Sequence, residues 1–417
     1  MKLQDAEIRL EEAGNPITES ISESFADKVS RKLWYLNGKR LADQARRRTG
    51  LEDFGDPPIE PALSMLTTSL EQEAGLHALG RFLMRGHLLG ILETRLRLAA
   101  LWRKQPDSLA TPIEKPVFIT GMPRSGSTFL HEVLFQDPEI RSPRVWEVMF
   151  PIPAPAPGPS HHHWRVHRAN MNLWWFRQLV PGADDVYPVR AVTPHECVAI
   201  HSYTLMSEEF VTTCRVPAYE RFVRATGLRS AYAWQKRFLQ HLQSRSMMKR
   251  WVLKAPDHLY ALEELFSVFP DAMVIQTHRN PIDVLKSSRQ LIEVLQGLFA
   301  RPDRDRLRER EARILADTME RSIRFRDRHP ELAGRFLDLN YSEIVSEPLG
   351  TVRRIYEHLD CPLTEIALER MRRFISTRSR YHHKHDPTLA DLGLDVSAET
   401  HRFQKYCRRF GIPLRPA

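Results

Sequence analysis

The chain has 417 residues, of which 42% are hydrophobic and 27% charged, and a formal net charge of +9. This length and balance exclude a disordered or fibrous protein and allow a sizeable buried core. The positive charge suits an anionic ligand, an anionic membrane surface or nucleic acid. No helix-turn-helix, zinc-finger spacing or RNP-type strand accompanies it, so no nucleic-acid partner is expected.

The opening MKLQDAEIRLEEAGNP lacks an apolar stretch, and nowhere do 18 apolar residues run together. The reading is no secretory signal and no transmembrane span. Cys197, Cys214, Cys361 and Cys407 form no C-x-x-C pair, which favours a reducing, cytoplasmic setting. A peripheral membrane contact is compatible with it.

Residues 1–110 read as a helical extension packed on the core, and residues 111–417 as an α/β domain. Leu76, Leu79 and Leu83, then Leu88, Leu92 and Leu96, recur at helical spacing between Ser69 and Arg103. Gly75, Gly80, Gly86 and Gly90 argue against one unbroken helix there. Lys115–Thr120 is a short apolar run that predicts a buried parallel strand. A glycine turn over 121–126 and a helix over 127–135 follow it. Pro151–Pro159, with proline at every second position, predicts an extended loop. Further strands are expected at Arg250–Lys254, Ala272–Thr277 and Arg335–Asn340. Helices are expected over 258–269, from Pro281 and over 349–359. Arg301–Arg328 mixes both signs of charge and predicts a solvated helix. Strands alternating with helices predict a parallel sheet covered on both faces.

Gly121-x-x-x-x-Gly126-Ser127-Thr128 has the spacing of a phosphate-cradling loop at a helix N-terminus. Ser127 stands where nucleotide-hydrolysing loops carry lysine, which argues against ATP or GTP hydrolysis. The segment Thr120–Thr128 resembles the 5′-phosphosulfate loop of the sulfotransferases that use 3′-phosphoadenosine 5′-phosphosulfate (PAPS). Pro123–Thr128 matches that family's P-[KR]-[ST]-G-[ST]-[ST] in full. His278-Arg-Asn-Pro281, with Ser287 eight residues after Arg279, is similar to the family's 3′-phosphate motif. The context resembles a bacterial branch of about this length, whose motifs relate to tyrosylprotein-type sulfotransferases. It includes Trp146-Glu147, Pro194-His-Glu-Cys197, Trp251–Pro256, Phe269-Pro-Asp271 and Asn340-Tyr-Ser342.

The resemblance implies a three-layer P-loop kinase-like fold and sulfuryl transfer from PAPS to a hydroxyl, with PAP released. Arg124, Ser125, Gly126, Ser127, Thr128 and Phe129 would hold the 5′-phosphosulfate, Arg279 and Ser287 the 3′-phosphate, and Tyr341 would lie near the adenosine. Glu147 is the expected base, its pKa raised by burial against Trp146. Lys254 and Arg124 are the expected charge stabilisers. Glu196 fits the branch pattern, but no chemical reason selects it for catalysis. The register around Lys384 and His385 is uncertain, because Pro387 replaces an aromatic residue.

No metal is expected: His161–His163 are adjacent and lack a second ligand cluster. Trp174-Trp175-Phe176 reads first as core, and otherwise as the wall of an apolar acceptor cleft or a membrane contact. The acceptor class is a hydroxyl on an apolar small molecule or lipid. The alternatives are a kinase-like phosphotransferase and a nucleotide-binding protein without catalysis.

Overall fold

The computed structural model describes residues 29–155, 163–180, 182, 184, 188–245, 249–302, 304–377 and 396–413. The second half of the proline-rich segment (156–159), His161, His162, Lys384 and His385 lie outside these residues. Three helices come first: α1 (Gly38–Thr49), α2 (Glu60–Gln72) and α3 (Ala78–Lys104). The order then runs β1 (Val117–Gly121), α4 (Ser127–Leu134), β2 (Ile140–Arg141), α5 (Val145–Met149) and α6 (Trp164–Leu179). Four helices follow: α7 (Val198–His201), α8 (Glu208–Thr213), α9 (Pro217–Thr226) and α10 (Arg229–Gln243). The second half holds β3 (Arg250–Lys254), α11 (Leu262–Val268), β4 (Met273–His278), α12 (Pro281–Gly297), α13 (Arg304–Arg328) and β5 (Phe336–Asn340). The last helices are α14 (Tyr341–Ser346), α15 (Pro348–His358), α16 (Glu365–Thr377) and α17 (Val396–Phe410).

The sheet has strand order β2-β3-β1-β4-β5, and every pairing is parallel. Side chains alternate between its faces, as pleating requires. Phe118, Trp251, Leu253 and Val274 join one apolar cluster, shared with α1–α3 and α10. Val117, Ile119, Val252 and Ile275 join the opposite cluster, with α4, α15 and α16. Burying each such side chain contributes about 1.5–3 kcal/mol. The sheet is therefore the middle of three layers, as expected.

Two local readings change. The glycines do not break α3: Gly80, Gly86 and Gly90 all lie inside it, and Gly75, at φ +62, belongs to the preceding turn. Gly80 is needed for packing, since a Cβ there would sit 2.0 Å from the Phe299 carbonyl oxygen. The single helix expected over 258–269 is a 3₁₀ turn, Pro256–Tyr260, followed by α11. The charged helix forms as α13, with Ala312, Leu315, Met319 and Ile323 buried at helical spacing.

The chain leaves β1 toward one side of the sheet and leaves β4 toward the other. The carboxyl ends of β1 and β4 thus flank the topological switch point, where open α/β sheets bind ligands.

Candidate active site

The loop after β1 is built on two glycines and a buried hydroxyl pair. Gly121 pairs with Thr277 across the sheet. A Cβ on Gly121 would lie 2.3 Å from Thr277 Oγ1, so only glycine lets the strands end this close. Ser125 Oγ donates to the Met122 carbonyl at 2.6 Å and lies 2.6 Å from Thr277 Oγ1. That hydroxyl is fully buried, so Ser125 offers a ligand only its backbone N–H. Gly126 has φ +88 and caps α4 without a side-chain hydrogen bond, leaving the first-turn N–H groups at Ser127 and Thr128 to an anion. Phe129, one turn in, packs against the cluster under the sheet.

The second motif meets this loop. Arg124, itself at φ +64, places Nε 2.9 Å from Ser287 Oγ on α12. Arg279 Nη1 donates to the Arg124 carbonyl at 2.8 Å. Its guanidinium stacks on the Tyr341 ring, 4.2 Å from the centroid. Arg279 Nε is buried without a hydrogen-bond partner among the described residues. The structure thus brings Arg124, Arg279, Ser287 and Tyr341 together from four chain segments.

Arg279 is held from behind. His278 Nδ1 lies 2.8 Å from Tyr406 Oη, and Nε2 lies 2.9 Å from Asp338 Oδ1. Arg326 donates to both Asp338 oxygens, at 2.7 and 2.8 Å. Burial raises the Asp338 pKa, but the hydrogen bonds from Arg326 and His278 outweigh it and hold the carboxyl well below its usual range. Asn280 caps α12 by accepting from the Ile282 N–H at 2.9 Å, and Pro281 opens the helix.

Lys254 closes the other side of the loop. It ends β3, is only 2% exposed, and donates from Nζ to Thr128 Oγ1 at 3.1 Å. It also forms an ion pair with Glu196 Oε1. Glu196 opens a strap over residues 196–204, tied to β3 by the Cys197 N–H donating to the Lys254 carbonyl at 2.9 Å. A buried polar network backs the strap. His201 Nε2 lies 2.7 Å from Gln235 Oε1, Gln235 Nε2 donates to Cys197 Sγ at 3.2 Å, and Tyr232 Oη lies 2.7 Å from His258 Nδ1. Burial first, and the positive charge of Lys254 after it, push His131 down to about 3. Burial also leads for His258, likewise pushed down to about 3, where His201 and Lys254 add to it against the pull of Asp257. Burial and Lys254 lower His195 too, against the opposing pull of Glu196 and Glu209.

Glu147 sits on α5 with 1% exposure. Its Oε2 accepts from the Arg144 N–H at 2.9 Å, a capping box, and its Oε1 takes Arg141 Nη2 at 3.1 Å. Among the described residues, it makes no hydrogen bond or ion pair with Lys254 or with the loop. Sequence reasoning passed over Glu196, Thr277 and a contact from the N-terminal helices: His87 on α3 pairs with Glu209 at 2.7 Å, and Ser202 of the strap donates to the same carboxylate. The Pro194–Cys197 context was the only signal for Glu196, and none pointed to His87.

The model of the Sulfotransferase family matches residues 116–365, which covers the loop over 121–128, the segment from His278 to Ser287, Lys254 and the strap. The chain belongs to the sulfotransferase family. This sulfotransferase is 27% identical over 286 residues to the omega-hydroxy-beta-dihydromenaquinone-9 sulfotransferase Stf3 of Mycobacterium bovis, a stretch covering 64% of this chain and 68% of that one. The protein of that name from Mycobacterium tuberculosis matches equally. The solved structure of sulfotransferase STF9 from Mycobacterium avium covers 92% of this chain and 98% of its own, at 27% identity and a TM-score of 0.82. Sulfotransferase STF1 from M. tuberculosis H37Rv covers 88% and 98%, at 28% identity and 0.76. Residues 38–104 therefore lie largely within a shared architecture. Among the described residues, no group of three His, Cys, Asp or Glu side chains is placed to hold a metal, and no helix is long and apolar enough to cross a membrane.

Proposed function

We propose that this sulfotransferase moves a sulfuryl group from PAPS to an acceptor hydroxyl and releases PAP. One observation carries the donor assignment. Arg124, Arg279 and Ser287 converge at the switch point, and the buried Arg279 Nε lacks a partner among the described residues. An unpaired buried guanidinium N–H is costly, and a phosphate oxygen would relieve that cost. Arg279 and Ser287 are assigned to the 3′-phosphate and Tyr341 to the adenosine side. Arg124 and the backbone of Ser125, Gly126, Ser127 and Thr128 are assigned to the 5′-phosphosulfate, with Phe129 supporting them from the helix.

When bound, PAPS supplies a sulfuryl group whose transfer leaves negative charge on a phosphate oxygen. Arg124, Lys254 and the first-turn N–H groups of α4 offset that charge in a site shielded from water. The attacking hydroxyl must lose its proton. Glu147, the expected base, already holds a helix cap and Arg141 with its two oxygens. Glu196 pairs with Lys254, which also donates to Thr128, so we assign the proton to Glu196 and give Glu147 the holding of α5.

The acceptor is proposed to be an apolar small molecule or lipid bearing a hydroxyl. The name of the relative Stf3, which refers to a menaquinone derivative, supports this class. Calorimetric titration with PAP, against ATP with Mg²⁺, tests the donor on wild type and Arg279→Ala. Tight PAP binding that the substitution abolishes, with weak ATP binding, is expected. Failure of PAP to bind overturns the reading. PAP binding without sulfated product on any acceptor would favour a protein that has lost catalysis.

A further inference from the structure

Helix α6 carries large apolar side chains on the face turned away from the protein. Trp164, Met171, Trp174, Trp175 and Leu179 are between 40% and 56% exposed. Their successive spacings of seven, three, one and four residues place them within one broad side of a helix. The opposite side is fully engaged. Val166 and Ala169 are buried against Trp146 and Ala191. Arg165 donates to the Phe150 and Pro153 carbonyls, at 2.9 and 2.6 Å, and stacks over Trp146 at 4.7 Å. The expectation of a core aromatic run thus fails for both tryptophans, because the helix spends its inward face on small residues and a buried arginine.

A contiguous exposed patch of this kind marks an interaction surface. We propose that α6 lies on the surface of an anionic lipid bilayer and inserts Trp174 and Trp175 at the headgroup boundary. Three observations favour a bilayer over a protein partner. Tryptophans dominate the patch, and their amphipathic rings prefer the membrane–water interface. The helix holds no acidic residue and exposes Arg168, which complements anionic headgroups, while Arg165 is buried and Arg177 pairs with Asp184. The buried face of α6 packs on α5 and on residues 191–192, which lead into Glu196, so the helix lies beside the start of the strap. Arg168 stacks over Phe150 at 4.9 Å, fixing one cation beside that seam. The inference rests on the apolar-acceptor reading for its purpose, since a bilayer would present such an acceptor. It does not rest on that reading for its geometry.

The test is co-sedimentation with vesicles of mixed phosphatidylcholine and phosphatidylglycerol, against pure phosphatidylcholine, for wild type and the double variant Trp174→Ala/Trp175→Ala. Wild type is expected to sediment with the mixed vesicles, and the double variant to partition on the order of tenfold less. PAP affinity should be equal in both, which shows that the variant is folded and separates this test from the donor assignment. Quenching of tryptophan fluorescence by brominated lipid should fall in the variant. The proposal is overturned if wild type stays in the supernatant with both vesicles, or if the variant sediments as wild type does. It is also overturned if the face instead joins two copies, seen as a concentration-dependent dimer that the double substitution dissolves without any vesicle uptake. Loss of sulfation on every acceptor with vesicle binding intact would defeat the acceptor reading and leave the docking surface standing.

Discussion

The loop over 121–128 and the strap over 196–204 both border Lys254, yet they are held by different means. The loop is shaped by its own backbone, with two glycines at positive φ, a serine hydroxyl turned inward and a helix N-terminus, and is braced by Thr277, Arg279 and Ser287. The strap is held by side chains from other elements: Gln235 of α10, Asp257 and His258 after β3, and His87 of α3 through Glu209. Phosphate recognition needs a fixed array of N–H groups, which a short local turn supplies. A proton acceptor beside a variable substrate needs a carboxylate placed by the surrounding fold. On the proposed reading, the backbone array of the donor site is set locally, while the placing of the base is set by tertiary contacts.

The largest expected effect sharpens that division. Glu196→Gln should lower kcat by about 10²–10⁴-fold, the usual contribution of a general base, and leave PAP affinity nearly unchanged. Steady-state kinetics and calorimetry on one preparation read both quantities. Glu147→Gln is the control: it should lower thermal stability, since a buried cap and an ion pair weaken, while retaining most of kcat. The opposite pattern would return the base role to Glu147.

Next comes the donor side. Arg279→Ala removes a charge-assisted hydrogen-bond donor worth about 1.5–3 kcal/mol, so PAP should bind roughly 10- to 150-fold more weakly. Turnover at saturating donor should change far less, because Lys254 and Arg124 remain. If kcat falls as steeply as affinity, the two regions are not separable.

Acid should loosen the fold around Lys254. His131 and His258 are held neutral in the fold, with pKa values pushed down to about 3 by burial and by neighbouring positive charge. In the unfolded chain they titrate near about 6.5. Below that value the unfolded state binds two protons that the folded state refuses. Stability should therefore fall with decreasing pH, by about 2.7 kcal/mol per pH unit if both sites contribute in full. Urea midpoints at about pH 7, about pH 6 and about pH 5 check the slope, and a His258→Gln background should halve it. A flat profile would show that the two imidazoles reach water in the fold.

The smallest effect belongs to Ser287→Ala. A neutral hydroxyl donor contributes about 0.5–1.5 kcal/mol, so PAP affinity should fall about two- to tenfold in calorimetry. An effect as large as that of Arg279→Ala would mean that Ser287 acts mainly by orienting Arg124.

Much of the donor side is legible in the amino-acid sequence. Pro123–Thr128 and Arg279–Ser287 are contiguous motifs, and four of the five strands announce themselves as short apolar runs. The missed strand, β2, is two half-buried residues at the sheet edge, too short for a periodic signal. Gly80 of α3 misleads because its packing partner, Phe299, is remote in sequence. Trp174 and Trp175 mislead because hydrophobicity alone does not tell a core position from an exposed one.

By itself, then, the sequence determined the parallel sheet, the anion loop and the paired arginine and serine. Each depends on local backbone geometry or on a period within a single element. Only the tertiary structure decided that Glu196 meets Lys254 across 58 residues of chain, that Glu147 is tied into a helix cap, and that α6 turns its tryptophans outward. These outcomes depend on which groups the packing buries together. That choice is made by long-range contacts between elements, and a linear pattern carries no record of them.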